Sequence, residues 1–289
     1  MKFTTYLRAG APRLAVVDGA ELIDLNDADA KVPADLRGAL RAGVDLKAAG
    51  AAALESGGAK RQPLASVQLA PLVPEPGKIV CLGLNYYDHA KEGGREKPDY
   101  PWFFFRAASS LVAHGEAGWL PQVSTKFDYE AELAVVIGKT VPRHTKEAGA
   151  LSHVFGYACF NDMSVRDYQK RTPQWTIGKN FDRTGGFGPQ LVTADELAPG
   201  ATGLRIRSLL NGQVMQDANT SDMIFSVAET IALLADVLTL EPGDVIVMGT
   251  PAGVGQARTP PVWMKAGDTI VIDIEKGGAL SNPITAEGA

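Results

Sequence analysis

Apolar residues in this chain come in short runs, often alternating with polar ones, and the runs are closed by glycine, proline or Asp-Gly turns. A period of two belongs to strands. Phe3–Leu7, Leu14–Val17 and Glu21–Asp24 read as strands separated by Gly10, Pro12 and the Asp18-Gly19 turn. Lys78–Leu82, Pro101–Phe105, Tyr129–Ile137, Val154–Phe160, Leu204–Leu210, Val245–Met248 and Thr269–Ile274 continue the series. Helical patterning is confined to Asp35–Leu40 and Asp45–Leu54 in an alanine-rich stretch, and to Val227–Leu238. Ser226 and Glu229 open the last of these as a capping box. This balance predicts an α+β fold that is mainly β. Pro71, Pro74, Pro76 and Gly77 interrupt the pattern, which predicts a small N-terminal domain over 1–70 and a main domain over 71–289.

Composition narrows the class. The chain has 289 residues, 45% hydrophobic and 21% charged, which is ordinary for a globular protein. Its 31 glycines and 18 prolines favour short strands and turns over long helices. A net charge of −5 argues against non-specific nucleic-acid binding. No apolar run approaches the roughly 18 residues of a membrane helix, and the start lacks a signal-peptide core, so a cytoplasmic location is expected. Cys81 and Cys159 both sit in apolar strand-like runs and are expected to be buried free thiols. No Cys/His cluster offers a zinc site.

The chemistry concentrates in Asp128–Lys139. Tyr129, Ala131, Leu133, Val135 and Ile137 fall on one strand face; Asp128, Glu130, Glu132, Ala134 and Val136 fall on the other. Alternate residues on a strand lie about 6.6 Å apart, so Glu130 and Glu132 repel each other wherever water is scarce. A hard divalent cation resolves that conflict, and an exposed acidic strand face is the other reading. Asp162 follows the Val154–Phe160 strand and fits either a site residue at a strand end or the cap of the next helix. Three carboxylates without Cys or His suit Mg²⁺, Mn²⁺ or, in a crystal, Ca²⁺.

His89 and Glu92 lie three residues apart after the Lys78–Leu82 strand and share a face in one helical turn. A carboxylate beside an imidazole prepares a general base, although the same spacing also describes an exposed surface pair. Gly93-Gly94 would let this turn move as a lid.

These segments together resemble the fumarylacetoacetate hydrolase family. The matching motifs are Gly83-x-Asn85-Tyr86-x-x-His89-x-x-Glu92, Phe105-x-x-x-Ser109-Ser110, Asp128-x-Glu130-x-Glu132, Asn161-Asp162-x-Ser-x-Arg166-Asp167-x-Gln169, Lys179-Asn-Phe181, Gly186-x-Gly188-Pro189, Met223-Ile224-Phe225 and Gly249-Thr250-Pro251-x-Gly253-Val-Gly255. They occur in family order over roughly residues 72–285, and the N-terminal segment resembles the variable extra domain of many members. The resemblance implies a mixed β-sandwich roll, commonly a homodimer. It implies a Mg²⁺ or Mn²⁺ site at Glu130, Glu132 and Asp162, and a water-activating pair at His89 and Glu92. It places Lys179 against the substrate oxygens and Gln169 and Thr250 against a bound keto acid.

The activity implied is metal-dependent hydrolysis of a carbon–carbon bond in a diketo acid. Hydroxide formed at His89 would attack a carbonyl, and Lys179 would stabilise the departing enolate. A keto-acid decarboxylase, isomerase or other lyase of the same family is the alternative, and a binding module that lost its chemistry is a third reading. Acylpyruvase members carry an arginine where this chain has Leu84. Arg106, at the end of the aromatic strand, is therefore expected to anchor the distal carboxylate of the substrate. Tyr86, Tyr87, Trp102, Phe103 and Trp175 are expected near the pocket, Tyr86 in contact with substrate.

Overall fold

Residues 1–288 are described by a computed structural model; Ala289, the last residue of the expected main domain, lies outside them. A twelve-stranded sheet dominates. Its path runs Arg61–Pro63, Glu21–Asp24, Ala11–Asp18, Lys2–Arg8, Gly185–Thr193, Val154–Asp162, Ala131–Ile137, Val245–Val247, Ile79–Gly83 and Trp102–Arg106. Every step on that path is antiparallel except the one joining Val245–Val247 to Ile79–Gly83. A five-stranded sheet packs on one face, in the order Gln213–Asn219, Arg205–Leu210, Thr269–Ile274, Gly278–Ala286 and Gly118–Leu120. The fold is thus α+β and mainly β, as the patterning predicts.

The central Ala131–Ile137 strand is buried at every residue, and its two faces feed two cores. Leu133, Val135 and Ile137 meet Ile206, Ile270, Ile272 and Leu280 of the smaller sheet and Ile231 and Leu234 of the Val227–Val237 helix. Ala134 and Val136 face the other way, into a core with Phe3, Leu14, Leu36 and Leu46 of the N-terminal segment. Burial on both faces makes this strand a rigid platform for side chains at its start.

Two expectations change here. The segment 1–70 does not form a core of its own, because Lys2 and Phe3 pair with Val192 and Leu191 and so extend the main sheet. Several strands also escape the sequence pattern, among them three long ones. Gly185–Thr193 is broken by glycines and Pro189, yet it lies beside the core strand Val154–Asp162. A Cβ at Gly186 would stand 2.7 Å from Asn282 Oδ1, so glycine is there to let the two sheets approach. Gly278–Ala286 contains Pro283, and Gln213–Asn219 is mostly polar. Cys81 and Cys159 are buried and free, as expected. No helix among the described residues is long and apolar enough to cross a membrane.

Removing residues 1–70 uncovers the face carrying Ala134 and Val136. The truncated chain should lose its cooperative thermal transition by near-ultraviolet circular dichroism and bind a hydrophobic dye. A sharp native-like melt of the truncated chain would show that the segment is dispensable.

Candidate active site

The site is built on the first residues of the central strand. Asp162 ends the neighbouring strand, and its N–H donates to Glu130 O at 3.0 Å, which brings it beside the glutamates. Candidate ligand oxygens of Glu130, Glu132 and Asp162 lie within 4.8 Å of one another, and all three residues are buried. Lys179 Nζ donates to Glu130 Oε2 and Asp162 Oδ2, each at 2.5 Å. Arg166 forms ion pairs with Glu130 at 2.7 Å and Asp128 at 2.8 Å. Arg106 pairs with Asp162 Oδ1 from behind.

Four carboxylates therefore share this floor with three cations, leaving one negative charge over. That charge falls on Glu132. Among the described residues its carboxylate accepts one hydrogen bond, from Gly249 N–H at 2.6 Å, and meets no cation of its own. Burial, then Asp162 and Glu130, push its carboxyl well above the usual carboxylate range. Burial opposes ionisation of Glu130 as well, but Arg166 and Lys179 prevail and hold it at about 2. An all-oxygen donor set with an uncompensated buried carboxylate fits a hard divalent cation, and Glu130, Glu132 and Asp162 would hold it.

The wall above is a short helix, Tyr87–Glu92. It follows Leu84, which sits in the left-handed backbone region at φ 57°. Asn85 holds that turn: its Nδ2 donates to Met248 O at 2.7 Å and Phe225 O at 3.1 Å, and its Oδ1 accepts from Phe225 N–H at 2.8 Å. His89 Nδ1 lies 3.3 Å from Glu92 Oε2. An ionised carboxylate only accepts, so Nδ1 carries the hydrogen, and in the neutral imidazole Nε2 is the nitrogen with the lone pair. Glu92 in turn accepts from Gly253 N–H at 3.0 Å. Gly253 has φ 102°, and a Cβ there would stand 2.4 Å from Met215 O, so this donor position requires glycine.

Floor and wall enclose a cavity of about 360 Å³. Of the residues expected in the site, His89, Glu92, Glu130, Glu132, Lys179, Gln169 and Thr250 line it together. Asp162 lies beneath, held by Lys179 and Arg106. Thr250 Oγ1 donates to Ala131 O at 3.0 Å and accepts from Gln216 at 2.8 Å, which holds it against the central strand.

Two expected substrate contacts are not in the cavity wall. Tyr86 is buried and its backbone bridges to Met223. Arg106 points inward from its strand: its guanidinium donates to Asp162, Ser110 Oγ, Met163 O and Thr184 O. With those donors consumed it orients Asp162 rather than meeting substrate. Of the aromatic residues, Trp175 lines the cavity, joined by Phe104; Tyr87 and Trp102 are largely exposed, and Phe103 packs on the larger core. Sequence reasoning gave Arg166 no role, although it stands in a matching motif, and missed Arg95 and Lys170. The signal for Arg166 was its place in a turn with Gln169, three residues on and sharing its face, just past Asp162.

A family model described as fumarylacetoacetate hydrolase, C-terminal, matches residues 78–285. The chain belongs to the fumarylacetoacetate hydrolase family. It is similar to the mitochondrial oxaloacetate tautomerase fahd2 of Xenopus laevis, 40% identical over 276 residues, covering 94% of this chain and 85% of that one. It is similar to the oxaloacetate tautomerase YisK of Bacillus subtilis, 44% identical over 225 residues, with 76% and 74% covered. Its structure resembles that of maleylpyruvate hydrolase from Sphingobium sp. SYK-6, solved with manganese(II) and pyruvate, at a TM-score of 0.82 and 32% identity over 99% of each chain. Of the two cations expected to meet substrate, Lys179 lines the cavity and Arg106 does not.

The charge imbalance makes a sharp prediction for Glu132→Gln. In chelator-treated protein the substitution should hold or raise the melting temperature, because a neutral amide replaces a buried carboxyl whose ionisation has no cation to support it. The rise in melting temperature on adding Mn²⁺ should vanish. Arg106→Met should act oppositely: stripping the partner from buried Asp162 costs about 3–5 kcal/mol and weakens Mn²⁺ binding, measurable by chemical denaturation and by paramagnetic resonance titration.

Proposed function

We propose that this enzyme interconverts the keto and enol forms of a 2-oxo dicarboxylic acid, assisted by Mg²⁺ or Mn²⁺ at Glu130, Glu132 and Asp162. The observation that carries this reading is the placement of a base, His89, on the same cavity as Glu130, Glu132 and Lys179, with Asp162 directly beneath. Moving a proton next to a ketone needs a base above the carbon and positive charge at the oxygen. The oxaloacetate tautomerases of Xenopus laevis and Bacillus subtilis support an isomerase over the hydrolase first expected.

The residues divide the work. The 2-oxo acid end of the substrate faces the floor, where a bound divalent cation would supply Lewis-acid polarisation of the ketone. His89 Nε2 takes the proton from the carbon beside the ketone, and Glu92 stabilises the imidazolium through Nδ1–H. Lys179 donates a hydrogen bond to the oxygen on which charge develops. The proton is then delivered to that oxygen; one C–H bond is broken, one O–H bond is formed, and no water is consumed.

Carbon–carbon hydrolysis is the second reading, favoured by the structural likeness to maleylpyruvate hydrolase. His89 would there take a proton from water instead of carbon. We also propose a homodimer and a cytoplasmic location; the exposed Tyr100, Trp102 and Phe105, at 51%, 43% and 47%, support an apolar partner surface.

Freshly dissolved enolic oxaloacetate loses its ultraviolet absorbance as it converts to the ketone. Mn²⁺-loaded protein should accelerate that loss without releasing pyruvate, and chelation should abolish the effect. Faster turnover of an acylpyruvate into two acids, with uptake of water, would replace the isomerase reading by the hydrolase. His89→Ala should lower turnover by about two to four orders of magnitude while Mn²⁺ affinity stays unchanged.

A further inference from the structure

A dicarboxylic substrate has a second charge, and the cavity contains cations that the chemistry above does not use. Arg166 pairs with floor carboxylates, Lys179 pairs with two of them and keeps one N–H for the ketone oxygen, and Arg106 lies behind Asp162. Leu84 offers no charge. Two further cations line the same cavity, Arg95 and Lys170, and among the described residues neither makes an ion pair.

Both residues are exposed, and Arg95 is steadied by an aromatic face. The Arg95 guanidinium lies 5.0 Å over the Trp102 ring. Trp102 stacks on Trp175, itself a wall residue, at 5.2 Å. A guanidinium held on an aromatic face keeps its N–H edges free for a carboxylate. Lys170 closes the Arg166–Gln169 turn, its own N–H donating to Arg166 O at 3.2 Å. That places it directly after Gln169, itself a wall residue. Partial burial, then Arg166 and Lys126, push its ammonium below the usual lysine value, so an anion beside it would be stabilised.

We propose that Arg95 and Lys170 form a second anion subsite that binds the distal carboxylate of the substrate and selects 2-oxo dicarboxylates over 2-oxo monocarboxylates. The proposal rests on reading the floor as the 2-oxo acid site. It gives the role first expected of Arg106 to two residues of the cavity wall, whose charges the floor carboxylates do not consume.

Binding and chemistry test the two claims separately. Calorimetric titration of Mn²⁺-loaded protein with 2-oxoglutarate and with 2-oxobutanoate gives the preference for a diacid. Lys170→Met and Arg95→Met should each reduce that preference at least tenfold, and the double variant should erase it. Lys170→Arg should restore it, and unchanged melting temperatures should show that the fold is intact. Equal weakening of both acids, or no change in either, would overturn the subsite. Proton–deuterium exchange beside the ketone, followed by nuclear magnetic resonance, reports on the chemistry. Absence of exchange in the unsubstituted protein, with the diacid preference intact, would overturn the isomerase reading and leave the subsite standing.

Discussion

Excess negative charge in a buried place is the constraint on which this molecule turns. Asp128, Glu130, Glu132 and Asp162 are all buried, and three cations cannot neutralise four carboxylates. Leaving water costs each ion several kcal/mol unless its partners are well placed. The surrounding structure is organised to place them. Gly249 N–H reaches Glu132, Gly253 N–H reaches Glu92, and Gly255 N–H reaches Asp128 at 2.7 Å. One glycine-rich loop thus ties the floor to the His89–Glu92 wall.

The residual charge has a functional direction. A divalent cation would turn a net −1 floor into a net +1 floor, which suits an acidic substrate and an oxygen acquiring charge. Two carboxylates beside each other at Glu130 and Glu132 are thus a poor stability choice and a good binding choice. The double-faced burial of Ala131–Ile137 supplies the rigidity to keep them there. Leu84 in a left-handed conformation, held by Asn85, shows a similar exchange of stability for placement on the wall.

Arg106 illustrates how a cation can serve a site without touching the substrate. Its five-donor fork is consumed by Asp162, Ser110, Thr184 and Met163, so it sets where the Asp162 oxygens point. The cavity's free positive charge lies elsewhere, at Arg95 and Lys170 of its wall.

The sequence alone determined what depends on neighbours along the chain. Alternation placed Tyr129, Leu133 and Ile137 on one face and the glutamates on the other, because the strand period is local. Spacing of three paired His89 with Glu92 for the same reason, and Ser226 marked where the Val227–Val237 helix begins. Motifs in family order also grouped Glu130 and Glu132 with Asp162. Tertiary structure decided what depends on partners distant in sequence. Gly185–Thr193 is a core strand only because neighbouring strands pair with it; its own glycines deny it a pattern. The N-terminal segment reads as separate until Phe3 meets Leu191. Arg106 sits at a strand end in either account, but which face of that end it occupies, and that Asp162 is waiting there, follows from tertiary packing that brings together two residues 56 apart on strands that do not pair. Hydrophobic periodicity carries no information about which buried charge will meet which, since that choice is made by packing and electrostatics between segments the sequence does not place side by side.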